Sequence, residues 1–250
     1  MHRPLLRPIG VLDGLPASLY LTKPERPMQD PVILRGWIHD AQTGPTPTTL
    51  YAVAAGVQPG DWMIAVMVGG PDDQAWFPPD GGWTQIVAPR QMGTRSFEAW
   101  ARQWLTGDPS TFAFTPESSS PVPTRGALAV LGNADGLASW VVGSVGVREE
   151  TGTSTTNVAP ALTTTTASMV ITLSAEATIA ADTIPPSVTA GDAVNWFWTD
   201  DASPAIETVF AASLQQVEAG LTSAVTISYG NPQTYNGLAL QIAVPPIPVA

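Results

Sequence analysis

Val57-Gln58-Pro59-Gly60-Asp61-Trp62-Met63-Ile64-Ala65-Val66 holds the pattern from which the rest of the chain can be read: a Pro-Gly-Asp turn running straight into an apolar stretch. Proline presets φ and glycine accepts conformations closed to other residues, so the first five positions reverse the chain. The apolar run that follows is short and bounded by further turn residues, which reads as a core strand. The unit then recurs. Trp62 to Met67 corresponds to Met169 to Leu173, Trp83 to Ile86 corresponds to Val194 to Phe197, and Ser96 to Leu105 corresponds to Thr208 to Val217. Thr111 to Phe114 matches Ala224 to Ile227, and Arg125 to Leu131 matches Asn236 to Ile242. Five elements in one order, each displaced by about 110 residues, predict a chain of two pseudo-repeated halves, about 36–147 and 148–250, each supplying one Greek key.

From residue 36 onward, short β-type runs alternate with Gly, Pro, Asp and Asn turns. Strands are expected near 48–54, 61–68, 83–88, 95–104, 111–115, 125–131, 139–147, 167–174, 193–199, 206–217, 222–229 and 237–244. Residues 95–105 are ambiguous, because Phe97, Trp100, Ala101, Trp104 and Leu105 also fit the i, i+3, i+4 spacing of a helix. The strand is preferred there, since the flanking segments and the internal echo are strand-like. Together these features predict an all-β fold, an antiparallel jelly-roll-like β-sandwich over 36–250. It is preceded by an extended Pro-rich N-terminal arm at residues 1–35.

That arm differs from all that follows. Pro4, Pro8, Pro16, Pro24, Pro27 and Pro31 exclude a helix or a central strand. Leu5, Leu6, Ile9, Val11, Leu12, Leu15, Leu19, Tyr20 and Leu21 are nonetheless apolar, and they are the candidate subunit-interface residues. The alternative is an arm that wraps its own body. Five basic and four acidic residues give the first 40 positions a charge of +1, whereas residues 149–250 carry nine acids and no Lys, Arg or His.

Composition narrows the function classes. The 250 residues are 44% apolar and 12% charged, with 22 Gly and 25 Pro, which excludes helix bundles and argues against disorder. A net charge of -11 disfavours nucleic acid and anionic lipid as partners. No apolar run approaches membrane-spanning length, and no signal-peptide pattern opens the chain. Synthesis in a cytoplasm is expected. The absence of cysteine removes disulfides, thiolate metal sites and thiol catalysis. A single lysine, Lys23, means that edge strands lack their usual lysine guards.

Chemistry-bearing motifs are scarce. His2 and His39 are the only histidines, and neither sits in a triad or zinc pattern. Asp72-Asp73 and Asp200-Asp201 fall in expected loops, where neighbouring acids diverge and read as solvated charge before they read as a glycosidase pair or a Ca²⁺ site. No catalytic residue, metal ligand or cofactor is expected, and the chain is not read as an enzyme. Of nine tryptophans, Trp37, Trp62, Trp100, Trp104, Trp140, Trp196 and Trp198 lie in or beside strands and suit core packing. Trp76, in the expected loop from Pro71 to Trp83, reads first as local loop packing, and Trp76 and Phe77 are the candidates for a ligand or partner contact.

The series Val57 to Val66, then Gly82-Trp83-Thr84-Gln85-Ile86, then Asp108-Pro109-Ser110-Thr111-Phe112-Ala113-Phe114-Thr115, resembles a β-sandwich module of actinobacterial siphophage virion proteins. Gly152-Thr153, Val158-Ala159-Pro160, Thr163 to Thr172 and Gly237 to Ile242 continue it, so the resemblance covers about residues 40–246. The arm lies outside it. Modules of this kind are usually minor tail proteins, and the matching motifs mark turns and core strands. The resemblance implies a structural virion subunit at the tail or tail tip, assembled in the host bacterial cytoplasm, with copies of itself and other virion proteins as partners. Head decoration is the nearest variant, and a host-surface glycan-binding module is the alternative. A glycan-cleaving enzyme ranks last.

Overall fold

The computed structural model describes residues 32–42, 47–52, 55–69, 75–92, 95–117, 124–133, 145–165, 168–178, 187–189, 194–203, 206–217 and 219–244. The described residues form sixteen strands and no helix, and every paired strand is antiparallel. The first eight are β1 (Val32–Gln42), β2 (Thr48–Leu50), β3 (Trp62–Gly69), β4 (Trp76–Phe77), β5 (Thr84–Met92), β6 (Arg95–Gln103), β7 (Phe112–Pro116) and β8 (Thr124–Asn133). The second eight are β9 (Val145–Ala159), β10 (Thr163–Thr164), β11 (Ser168–Thr178), β12 (Ser187–Thr189), β13 (Val194–Ser203), β14 (Ile206–Val217), β15 (Gly220–Leu221) and β16 (Val225–Val244). The ambiguous segment at 95–105 is thus a strand, because its pairing with β3 and β5 uses backbone groups that a helix would have turned inward.

Two large sheets carry the fold. The first has the order β1-β8-β3-β6-β5, and the second runs β9-β16-β11-β14-β13, with β12 also on β16. Strand for strand the two orders are the same connection pattern. The smaller elements follow suit: β2 and β4 flank β7, while β10 pairs with β15 and β12 with the first part of β16. Each half therefore forms a large sheet of its own, five-stranded in the first half and six-stranded with β12 in the second, and adds short strands beside it. The short covering strands of two or three residues, and the edge strands β1 and β9, left no detectable echo in the sequence.

The two sheets stack face to face. Backbones approach within 8 Å between β1 and β13, β8 and β14, β3 and β11, β6 and β16, and β5 and β9. That reversed order is what a twofold axis running along the strands, between β3 and β11, produces. Small side chains permit the close approach, since facing sheets are usually about 10 Å apart. Ala99, Ala101, Ala127 and Ala129 lie on this inner face, beside Ile64, Val66 and Val68, and all seven are buried. Ile171, Leu240 and Ile242 are the buried counterparts on the second sheet.

β3 alternates apolar residues on both faces and is buried along nearly its whole length. Its other face, Met63, Ala65 and Met67, joins Leu50, Trp76, Trp83, Phe112, Phe114, Leu128 and Val130 in a second core beneath β2, β7 and β4. Trp83 meets Phe112 and Phe114 edge-on at 5.2 and 5.0 Å, the favoured arrangement of aromatic quadrupoles. The Thr48 and Thr124 hydroxyls, 3.0 Å apart, fasten the covering layer to β8. In the second half Leu162, Val170 and Ala243 form the matching outer cluster.

Several expectations shift in detail. β1 opens at Val32, pairing with Asn133, so the body begins four residues earlier than residue 36. The expected strands at 222–229 and 237–244 are one strand, β16, with a register shift between Ser228 and Gln233. Asp200 and Asp201 lie within β13 opposite Val209 and Thr208, not in a loop. The arm at 1–31, Trp140, and Asp72-Asp73 lie outside the described residues.

One half alone would expose Ile64, Val66, Val68, Ala129 and Leu131 to water. Residues 32–133 expressed by themselves should therefore aggregate or self-associate through this face, as seen by light scattering, while 32–250 remains dispersed. A Cβ at Gly36 would overlap the Ala55 carbonyl, so Gly36→Ala should cost about 1–3 kcal/mol in urea unfolding, the usual penalty for overpacking.

Candidate functional site

Antiparallel pairing brings the turns at 55–61, 78–83 and 104–111 to one end of the first half, and backbone bonds join two of them. Gly60 N–H donates to the Trp104 carbonyl at 2.8 Å, and Trp104 N–H donates to the Asp61 carbonyl at 2.8 Å. Val32 and Asn133 are paired at this same end. The chain therefore enters the body, and leaves its first half, beside these loops.

Two arginine clusters stiffen the end. Arg102 on β6 is buried, its guanidinium bonded to Asp80 through Nη1 and to Asp108 through Nη2 at 2.6 Å. The same guanidinium lies 5.0 Å from the centre of the Phe112 ring, on its face. Asp80 also accepts the Gly82 N–H at 2.8 Å, and Asp108 accepts the Leu105 N–H at 2.7 Å. One side chain thus ties two loops to the sheet. Arg35 and Asp61 form the second cluster, an ion pair at 2.7 Å with the carboxylate fully buried. Burial raises the Asp61 pKa, and the Arg35 guanidinium with the Gln58 N–H offsets only part of the rise. Gly132 is required beside them, because a Cβ there would overlap both Arg35 and Asp61.

Away from this end, Glu98 is the most unusual titratable group. It lies on the face of β6 that looks into the aromatic core and has no exposed surface. Its carboxylate accepts the Trp76 backbone N–H at 2.9 Å and the Gln85 side-chain amide. The Trp100 indole also faces it, outside hydrogen-bond geometry. Burial pushes its pKa from the usual 4.5 up to about 7, against the opposing pull of these donors. Its work is to hold β4 against the sheet.

Trp76 and Phe77 separate completely. Trp76 is 1% exposed and fills the core, its ring over Gly69. It packs locally and presents no face for a ligand, the first of the readings open to this ring. The pairing of β4 with Pro116 and Thr115 of β7 turns it inward, and alternation leaves Phe77 54% exposed. The nine arm residues Leu5 to Leu21 lie outside the described residues. Glu98 and Arg102 were missed from the sequence. Charges spaced four apart within an apolar strand, as these are, were the signal that could have marked them.

No match to this chain is found among protein-family models, curated proteins or solved structures. The described residues contain no cluster of three or more His, Asp or Glu side chains placed to hold a metal ion. What the geometry offers is a loop-built end tied by ion pairs and a covering layer on which Tyr51 and Phe77 are exposed.

Removing Arg102 leaves Asp108 and part of Asp80 without their counter-charge. Arg102→Ala should destabilise the protein by about 2–3 kcal/mol, discounted for the exposure of Asp80. Amide exchange at residues 80–82 and 105–108 should rise above that of β3. Glu98 binds its proton in the folded state between pH 4.5 and about 7, where the unfolded chain has lost it. Its contribution is thus full below pH 4.5 and declines as pH rises towards 7. Glu98→Gln should flatten this decline and raise stability at pH 8 by at most about 3 kcal/mol. Equilibrium denaturation at pH 4, 6 and 8 measures it.

Proposed function

We propose that this chain is a structural virion subunit, a minor tail protein of the tail or tail tip of a bacteriophage, working by assembly rather than catalysis. The observation that carries the reading is the repeated strand order. The order β1-β8-β3-β6, with β2-β7-β4 beside it and the large-sheet order repeated in the second half, is read here as a jelly-roll winding, and jelly rolls serve widely as capsid and lectin modules. The resemblance of residues 40–246 to siphophage virion modules supports the same class. The step from fold to function is one of analogy.

Physical features of the body agree with such work. Salt-bridged loops keep one end stiff, so a contact made there has little ordering to offset. The proline-rich arm joins the body beside that end, and its apolar residues Leu5, Leu6, Ile9, Val11, Leu12, Leu15, Leu19, Tyr20 and Leu21 reach neighbouring virion proteins or further copies of the chain. A host-glycan module is the second reading. It rests on the exposed ring of Phe77, while burial of Trp76 removes the larger ring from it.

The test uses particles from a lysate of the host that carries the gene. Antibody-gold labelling should place the chain on the tail, and absence from purified particles would sink the proposal. Deleting residues 1–31 should leave a folded, dispersed body that no longer joins particles. Normal incorporation of this variant would remove the arm from the assembly contact.

A further inference from the structure

Four strands bound the two large sheets at their sides, β1 and β5 in the first and β13 and β9 in the second. Three of them are broken. β1 changes register between Leu34 and Gly36, β13 changes it between Val194 and Phe197, and β5 carries Pro89 and two shifts. β9 is the exception, with no proline along its length and an unbroken ladder to β16 from Val145 opposite Ile242 to Ser154 opposite Gln233. Among the described residues it pairs on that side only. A long, regular edge of this kind offers a row of backbone donors and acceptors to a further strand. Its one guard is the run Arg148-Glu149-Glu150, in which the charges are of mixed sign.

We infer that this edge is a contact between two copies of the chain, β9 laid antiparallel against β9 about a twofold axis centred on Glu149. Symmetry restricts the registers. A twofold axis that extends a sheet runs normal to it and keeps each face of the strand on its own side, so one residue must stand opposite its own number. Centred on Glu149, the pairing sets Arg148 of each copy opposite Glu150 of the other, and residues 145–153 pair throughout. Arg148 and Glu150 share one face of the strand by alternation, so four charges of alternating sign form a square there. Opposite charges across a strand pair attract, and like charges repel. A centre at Arg148 would oppose two arginines, and a centre at Glu150 two glutamates. Centres farther along set all three residues against uncharged ones, so only the centre at Glu149 brings opposite charges together. Glu149 against Glu149 is its one like pair, on the other face of the strand. The net charge of -11 opposes any approach of two copies, so a contact between them needs a local match of this kind. The inference is independent of the virion reading and uses a surface other than the N-terminal arm.

The test uses the full chain in physiological salt, with circular dichroism to establish that each variant is folded. Light scattering coupled to size-exclusion chromatography should give the mass of a dimer at tens of micromolar protein. Arg148→Glu turns two attractions into two repulsions and should weaken the dimer about tenfold. The exchange Arg148→Glu, Glu150→Arg should restore it, and Glu149→Gln should tighten it. A monomer in the unmodified chain, a dimer indifferent to Arg148→Glu, or an exchange that fails to restore it overturns the inference. The lack of cysteine lets the register be read directly. Glu149→Cys meets its own copy across the axis, at the Cα spacing of about 4.5–5.5 Å between opposed residues, and should close an intermolecular disulfide on mild oxidation. Thr153→Cys, eight positions or about 27 Å from its own copy, should not. Closure at Thr153 in place of Glu149 would mean another register and would overturn this one.

Discussion

Burial of β3 on both faces is the constraint around which the rest of the molecule is arranged. A strand apolar at every position cannot lie at a surface, so it needs one layer above and another below. One layer is the second large sheet, brought close by alanines on β6 and β8. The other is the short-stranded cover, which packs Phe112, Phe114, Trp76 and Trp83 over Met63, Ala65 and Met67. The same demand is met at β11, with Val170 turned towards Leu162 and Ile171 towards the first sheet. Layering of this kind joins two halves that each have an outer core but share an inner one.

Polar groups are placed so that this layering comes out in one register. Glu98 faces the aromatic core and fixes β4 by a backbone hydrogen bond from Trp76. Arg102, four residues on, reaches the rim and gathers two loops. In the second half Thr222 takes the Leu162 N–H and donates to Gln241, which in turn donates to the Ser223 carbonyl. Each is a small hydrogen-bonded bracket between a cover and its sheet, and leaving any of these groups unpaired would cost more than the bond itself contributes.

Edges complete the picture. With one lysine in 250 residues, protection must come from geometry. β5 carries Pro89 and two register shifts, β1 has a shift between Leu34 and Gly36, and β13 has one between Val194 and Phe197. Irregular backbone of this kind is a poor template for a further strand.

The amino-acid sequence by itself determined the all-β character, the turn-strand spacing and the five repeated elements, because these rest on local rules: proline and glycine chemistry, and the spacing of apolar residues. The strand at 95–103 was legible for the same reason, though its periodicity also suited a helix. Pairing was decided only by the tertiary structure. Which strand lies at an edge, whether Trp76 points inward, and that each half closes a sheet of its own depend on partners up to 101 positions away, as Val32 is from Asn133 across β1 and β8. Glu98 and Arg102 show the limit most clearly. Charged residues in a strand read locally as solvent-facing, and only the cover of β2, β7 and β4, assembled from three distant segments, takes water away from them.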